Sequence, residues 1–429
     1  MSTAVNQGKE PKNTSQMVEH LFRHESGKVI SHLTRKFGTQ HIEIIEDAVQ
    51  EALIKAMQLW PYHGAPQNPT AWILRVANNK LIDVLRRKKK MLTSEDGIFE
   101  EEHNKLEPTE EMEVDEMNAI LKDDMLKMIF ACCHPVLKAE NQIILTLKIL
   151  CGFGKAEIAR ALLKKEDAVA KAYTRAKAKL KNANVSLEVP EGEDLKNRLS
   201  VVLKIIYLLF NEGYTTSTDE TLIRRDMCFE AIRLNKLLAE NNFFHSAEAH
   251  ALMALMHFHA SRFDARLDAN GKLLTLDQQD RKLWDTNLIN LAIYHMSKSG
   301  EGQQISEYHI QAGIAASHCL SEDYQSTDWK QILSFYDILI KIKPAPIAAL
   351  NRIVAFSKVH GAELALKELQ KIEEGKHLDE YYLLHAIQGD LLIEMGKKNE
   401  ARECIKKAME LTKNTTEKNH LKDKLEAIG

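Results

Sequence analysis

The chain has 429 residues, enough for about two to four domains with cores of their own. Its 58 lysines and arginines stand against 61 aspartates and glutamates, so affinity for a polyanion must come from local clusters and not from the chain as a whole. The longest apolar stretch, near Val201–Phe210, is interrupted by Lys204 and too short to span a bilayer, and residues 1–16 lack the apolar core of an export signal.

Ala, Leu, Lys and Glu dominate, with only nine prolines, and β-branched runs are few. These features predict an all-α protein. Six scattered cysteines with no C-x-x-C pair fit reduced thiols, hence a cytoplasmic location. From Met17 to Lys90 the pattern is helical. Ile45, Val49, Ala52, Leu53 and Ala56 form one apolar stripe, with Asp47, Gln50 and Glu51 opposite. The segment Pro61–Pro69, with three prolines and Gly64, predicts a loop of fixed shape that breaks both neighbouring helices. Thr70 is then placed to cap a helix that buries Ile73, Ala77, Leu81 and Val84. Arg75, Asn79, Asp83 and Arg86 share its polar face, and it ends in Arg86-Arg87-Lys88-Lys89-Lys90.

Residues 93–116 carry eleven acids and one lysine, Lys105. Like charges repel and few apolar groups are available to bury, so this stretch predicts an irregular, flexible tether. Fully extended, it reaches roughly 80 Å, enough to set its flanking segments about two duplex turns apart. Beyond it, Ile143, Ile144, Leu147 and Leu150 lead into the turn Cys151-Gly152-Phe153-Gly154 and a short helix, Lys155 to Leu163. A final helix from Glu166 buries Val169, Tyr173, Ala176 and Leu180, leaving Lys171, Thr174, Arg175 and Lys177 outward. That spacing is a helix-turn-helix, whose second helix meets a major groove. A surface helix with ordinary charges is the bland reading of such a segment by itself. The compact turn and a second basic module upstream favour DNA.

After Pro190–Gly192 another helical domain begins, with Ile205, Leu208, Leu209 and Phe210 as core candidates. Gly389, Gly396, Ala401 and Ala408 sit at the offsets of a tetratricopeptide repeat, and Gly361, Ala365 and Ile372 give a looser copy one repeat earlier. The chain therefore divides into 14–92, an acidic linker at 93–118, 119–186, 190–300, and repeat-like helices at 301–429.

Glu46-Asp47-Ala48-Val49-Gln50-Glu51-Ala52 and the run Trp72–Arg87 resemble region 2 of the extracytoplasmic-function sigma factors of bacterial RNA polymerase. Glu157-Ile158-Ala159-Arg160 and Ala168–Ala176 resemble the region 4 helix-turn-helix of the same group. Phe130-Ala131-Cys132-Cys133-His134-Pro135, Leu208–Tyr214, Asp277–Asp285, Thr327-Asp328-Trp329 and Ala349-Leu350-Asn351-Arg352 are similar to signatures of the large members with a tetratricopeptide-like extension. The family often carries arginine where Asn78 and Ala172 stand here.

The resemblance implies a promoter-specific initiation factor with core RNA polymerase and promoter DNA as partners and no cofactor. Glu46, Asp47, Gln50 and Glu51 would dock on the polymerase. Tyr62, His63, Gln67 and Asn68 would form a loop that captures a flipped base. With Trp72, Arg75, Asn78, Asn79, Arg86 and Arg87, that loop would read the minus-ten element. Lys164, Lys165, Glu166, Lys171, Thr174, Arg175 and Lys177 would read minus-thirty-five. The extension would receive a regulatory protein.

The alternative is a helix-turn-helix regulator or tetratricopeptide adaptor without a sigma role, binding DNA through residues 140–181 alone. No phosphate loop, nucleophile elbow or carboxylate pair suggests an enzyme. Cys132-Cys133-His134 lacks a second ligand pair at finger spacing, and His245, His250, His257 and His259 lack a common face, so packing is the reading preferred over metal. Asn211-Glu212-Gly213-Tyr214 reads as a helix end and turn. Asp280 and Arg281 are left open between a buried pair and a partner contact.

Overall fold

The computed structural model describes residues 25–92, 114–162, 164–214, 225–240, 246–268, 274–302, 304–376, 381–412 and 415–428. The expectations for residues 14–24, for most of the acidic tether (93–113), for Leu163 and for His245 lie outside them. The described residues fold into helices without a β-strand, and the chain forms two units, residues 1–209 and 210–429. None of these helices is long and apolar enough to cross a membrane.

In the N-terminal unit, α1 (Ser26–Phe37), α2 (Ile42–His63) and α3 (Pro69–Leu92) pack together. α2 buries Ile45, Ala48, Val49, Ala52, Leu53, Ala56 and Trp60, the expected stripe continued by a full turn. It runs further than expected. Pro61, Tyr62 and His63 form its last turn, where a proline forfeits a single backbone bond, and Gly64 ends it at φ +80 with its N–H on the Trp60 carbonyl. The connecting loop is therefore only residues 64–68. The cap of α3 is Asn68, not Thr70: Asn68 Oδ1 accepts from the Ala71 N–H at 3.0 Å, and Pro69 takes the first helical position. Thr70 instead donates its hydroxyl to Glu25 at 3.3 Å.

α4 (Val114–Cys132) begins inside the stretch expected to be linker and packs on α1. Its Asp124 is fully buried, with His32 Nδ1 at 2.9 Å and Arg35 Nη1 at 2.8 Å. α5 (Ala139–Ile149), α6 (Lys155–Ala161) and α7 (Glu166–Asn182) complete the unit. Gly27 of α1 lies so close to the carbonyl of Leu150 that a Cβ there would stand 2.1 Å from its oxygen. Thr39 Oγ1 donates to the Val185 carbonyl at 3.2 Å. The segments on either side of the acidic stretch are thus packed against each other. Buried polar partners and a glycine contact hold them, which charge patterning along the chain does not reveal.

The second unit takes the end of α8 (Gly192–Tyr214), then α9 (Arg225–Ala239), α10 (Ala247–Ala260), α11 (Thr286–Ser299) and α12 (Glu307–Cys319). α10 is apolar on nearly every side and packs against α9, α11 and α12. Asn211–Gly213 lie in the last turn of α8 and Tyr214 is its last residue, the helix end expected there. Tyr214 is clamped: Arg266 lies 3.7 Å over its ring and donates to its carbonyl, while Arg262 donates to its hydroxyl at 2.7 Å. Ile205, Leu209 and Phe210 are buried and Leu208 half-buried. Arg281 does not pair with Asp280. It donates to the carbonyls of His318 (2.7 Å) and Ser321 (2.5 Å), whereas Asp280 caps the short turn at Lys282.

Successive helices α13 (Trp329–Ile342), α14 (Pro346–His360), α15 (Ala362–Lys376), α16 (Tyr382–Glu394), α17 (Lys398–Leu411) and α18 (Thr415–Ile428) stack in chain order. Ala401 and Ala408 are buried between neighbours, and Gly389 lets α16 approach Ile405 of α17 closely.

His250, His257 and His295 are stacked in this unit, with His250 Nδ1 2.9 Å from His295 Nδ1. His295 is 5% exposed, and burial, followed by its two histidine neighbours, holds its pKa down at about 4, against an ordinary 6.5. The unfolded chain therefore takes up a proton below about pH 6.5 that the folded unit refuses until about pH 4. Stability present above pH 6.5 should fall by roughly 3 kcal/mol between those limits and then level off. Thermal unfolding across this range should show a shallower acid loss in His295→Phe than in the parent. Parallel profiles would contradict the assignment.

Candidate nucleic-acid interface

Two exposed polar surfaces follow from these helices. On α3 the side chains of Arg75, Asn79, Arg86 and Arg87 are exposed, as periodicity requires once Ile73, Ala77 and Leu81 are buried. Trp72 is half-buried, edge-on to Trp60 with ring centroids 5.3 Å apart. Asn78 accepts from Lys36 at 3.3 Å, so it lies beside α1 and off the exposed stripe. Around the α2–α3 turn, Tyr62 is 85% exposed, His63 and Gln67 are exposed, and Asn68 spends its oxygen on the cap of α3.

The helix-turn-helix segment has the expected three helices. Gly154 N–H donates to Glu157 Oε2 at 2.6 Å and closes the turn before α6. On α7, Glu166, Lys171, Thr174 and Arg175 are exposed, as is Lys165 just before it, and Lys164 pairs with Glu140 at 3.2 Å. The buried seam is Val169, Ala172, Ala176 and Leu180. Ala172, not Tyr173, is the core member, so an arginine there would have to enter the core.

Tyr173 and Lys177 have a different role from the one expected. The Tyr173 hydroxyl donates to Glu46 Oε1, and Lys177 Nζ donates to Glu46 Oε2 at 2.7 Å. Lys181 reaches Glu43 at 3.5 Å. Lys177 is thus a half-buried partner of α2 and not an outward reader. Glu46 is occupied, while Asp47 and Gln50 remain exposed and Glu51 pairs with Lys80 of α3 at 2.7 Å. Burial, and then the nearby Glu46 carboxylate, push the Tyr173 hydroxyl well above its usual pKa, so it stays a donor. Burial, together with the charges of Lys88 and Lys181, lowers the pKa of His41. The basic ends of α3 and α7 therefore converge near that residue.

Sequence reading missed this contact, although its signal is present. Glu43 and Glu46 are three apart on α2, and Tyr173, Lys177 and Lys181 are four apart on α7, each set on one helical face. Cys132 and Cys133 are buried, and burial raises the Cys132 thiol to about 12. Among the described residues no group of three or more His, Cys, Asp or Glu is placed to hold a metal.

Residues 21–91, which contain α1, α2 and all but the last residue of α3, match the family Sigma-70 region 2, and residues 198–300 match a family of unknown function (DUF6596). The first match supports a sigma-factor-like role in transcription initiation. The chain belongs to the same family as an uncharacterized protein of Rhizobium meliloti (strain 1021), with 37% identity over 392 residues that cover 91% of each chain. No solved structure matches it.

Proposed function

We propose that this chain is a sigma factor of the extracytoplasmic-function group that binds core RNA polymerase in the cytoplasm and directs promoter-specific initiation. The Sigma-70 region 2 match carries the reading, because its segment holds the exposed cationic face of α3 beside the polar side of α2. The polymerase supplies the chemistry, so the chain needs no cofactor and catalyses nothing itself. Asp47, Gln50 and Glu51 dock on the polymerase, joined by Glu46 once it is released. The face of Arg75, Asn79, Arg86 and Arg87, with the exposed Tyr62, His63 and Gln67 at its start, meets the opening minus-ten duplex. Asn68, Trp72 and Asn78 support that surface from behind.

Lys165, Lys171, Thr174 and Arg175 face minus-thirty-five, with Lys164 and Glu166 at the entry to the same helix. Lys and Arg contacts to phosphates set register and give salt-dependent affinity, while a few side chains read base edges. Residues 210–429 form a tetratricopeptide-like extension that receives a regulatory partner. The contact of α7 with α2 occupies Glu46, so the chain rests closed and opens as polymerase engages it.

Gel filtration with purified core polymerase tests the proposal: a stable complex is expected, and separate elution of the two would overturn it. On a promoter library, Arg175→Ala should cost about 1–3 kcal/mol at one base position if the guanidinium pairs with a guanine. If Arg175 meets phosphate, affinity should fall uniformly with a smaller salt slope. A library profile and an affinity both unchanged in Arg175→Ala and Lys171→Ala would remove α7 as the reader.

A further inference from the structure

The C-terminal unit contains a cavity of about 850 Å³. A second cavity of about 260 Å³ shares Thr275, Asn351, Asp390 and Lys424 with it. Three sequence signatures far apart in the chain meet at the larger cavity: Asp277 and Gln278 from one, Trp329 from another and Asn351 from the third. Other members of these signatures have structural tasks. Arg281 anchors its loop to the end of α12, Asp285 caps α11 and Asp328 caps α13. Asp277 and Asn351 have no such task. Their side chains hydrogen-bond to none of the described residues and line the cavity.

The lining sets four carboxylates, Asp277, Asp390, Glu394 and Asp423, against two lysines. Both lysines are already paired, Lys358 with Glu394 at 2.8 Å and Lys424 with Asp390 at 2.7 Å. The space thus carries a net negative charge beside the rings of Tyr324, Trp329 and Tyr336. Rings of this kind accept the apolar stem and charged head of a basic side chain. An asparagine amide offers one donor and one acceptor face, which matches the N–H and C=O of an extended backbone. The larger cavity has room for a short segment of chain.

We propose that the cavity bounded by Asp277, Trp329 and Asn351 is a docking site for an extended, basic peptide segment of a partner protein. Asp277 receives a Lys or Arg side chain, and Asn351 pairs with the peptide backbone.

The test uses the full chain and fluorescein-labelled octapeptides of alternating leucine and lysine, or leucine and glutamate, followed by fluorescence polarisation near neutral pH. The basic peptide should bind at least roughly tenfold more tightly than the acidic one. Asp277→Lys and Asn351→Leu should each weaken it by about tenfold, and added salt should weaken it further. Asp277 is exposed, so its variant should keep the parent's melting temperature. Equal affinity for the two peptides would overturn the proposal, as would basic-peptide binding that neither variant alters. Displacement of the peptide by lysine amide at comparable concentration would assign the cavity to a small cation instead.

Discussion

Gly27→Ala is expected to lower the stability of the N-terminal unit by about 2–3 kcal/mol. The opposing effect is known in sign and size: alanine is the better helix former by about 1 kcal/mol. It loses here because the new Cβ would stand 2.1 Å from the Leu150 oxygen and 2.8 Å from its carbonyl carbon. Both are backbone atoms and cannot swing aside as a flexible side chain would. α1 would have to retreat from the end of α5, pulling on Asp124 and its partners His32 and Arg35. Urea unfolding should show an earlier transition in the variant. A stabilised Gly27→Ala protein would mean that α1 does not rest on that carbonyl.

Tyr173→Phe combined with Lys177→Met should open the contact between α7 and α2. A hydrogen bond to a charged group contributes about 1.5–3 kcal/mol, and a half-buried ion pair adds less. Loss of both donors removes roughly 3 kcal/mol, which raises the opening equilibrium about a hundredfold. The cost falls on the closed state, because Glu46 is left half-buried without its two partners. Two measurements should move together: the distance between dyes placed on exposed positions of α2 and α7 should lengthen, and core polymerase should bind more tightly. Glu46→Ala removes both acceptors of the same contact together with a docking carboxylate, so it should lengthen the distance without the gain in affinity. A double variant that keeps the short distance would show that the contact is held elsewhere, by Thr39 with Val185 or by the apolar seam of α7.

Helical class, the α2 stripe, the buried side of α3 and the three helices around Gly152 were legible because each follows from spacing within one helix. Asn68 and Pro69 show where local rules compete. Both Asn68 and Thr70 qualify as caps, and the proline, which favours the first helical position, decides for Asn68. Pro61 misled for the opposite reason, since a helix tolerates the residue in its final turn. What the sequence did not reveal is tertiary: the burial of Asp124, the pairing of Glu46 with Tyr173 and Lys177, and the meeting of Asp277, Trp329 and Asn351. Each joins residues distant in the chain, and a charged residue reads as solvated until its partner is known. The acidic stretch suggested independent readers, yet the helices on either side of it share a core.

Transcription start mapping with purified core polymerase tests the account most directly. Core polymerase, this protein and a library of promoter-length DNA fragments should give discrete starts from a defined set of sequences. Arg75→Ala and Arg86→Ala should abolish those starts without dissolving the complex. Transcripts that begin at scattered positions, equally with and without the protein, would contradict the claim that this chain directs initiation.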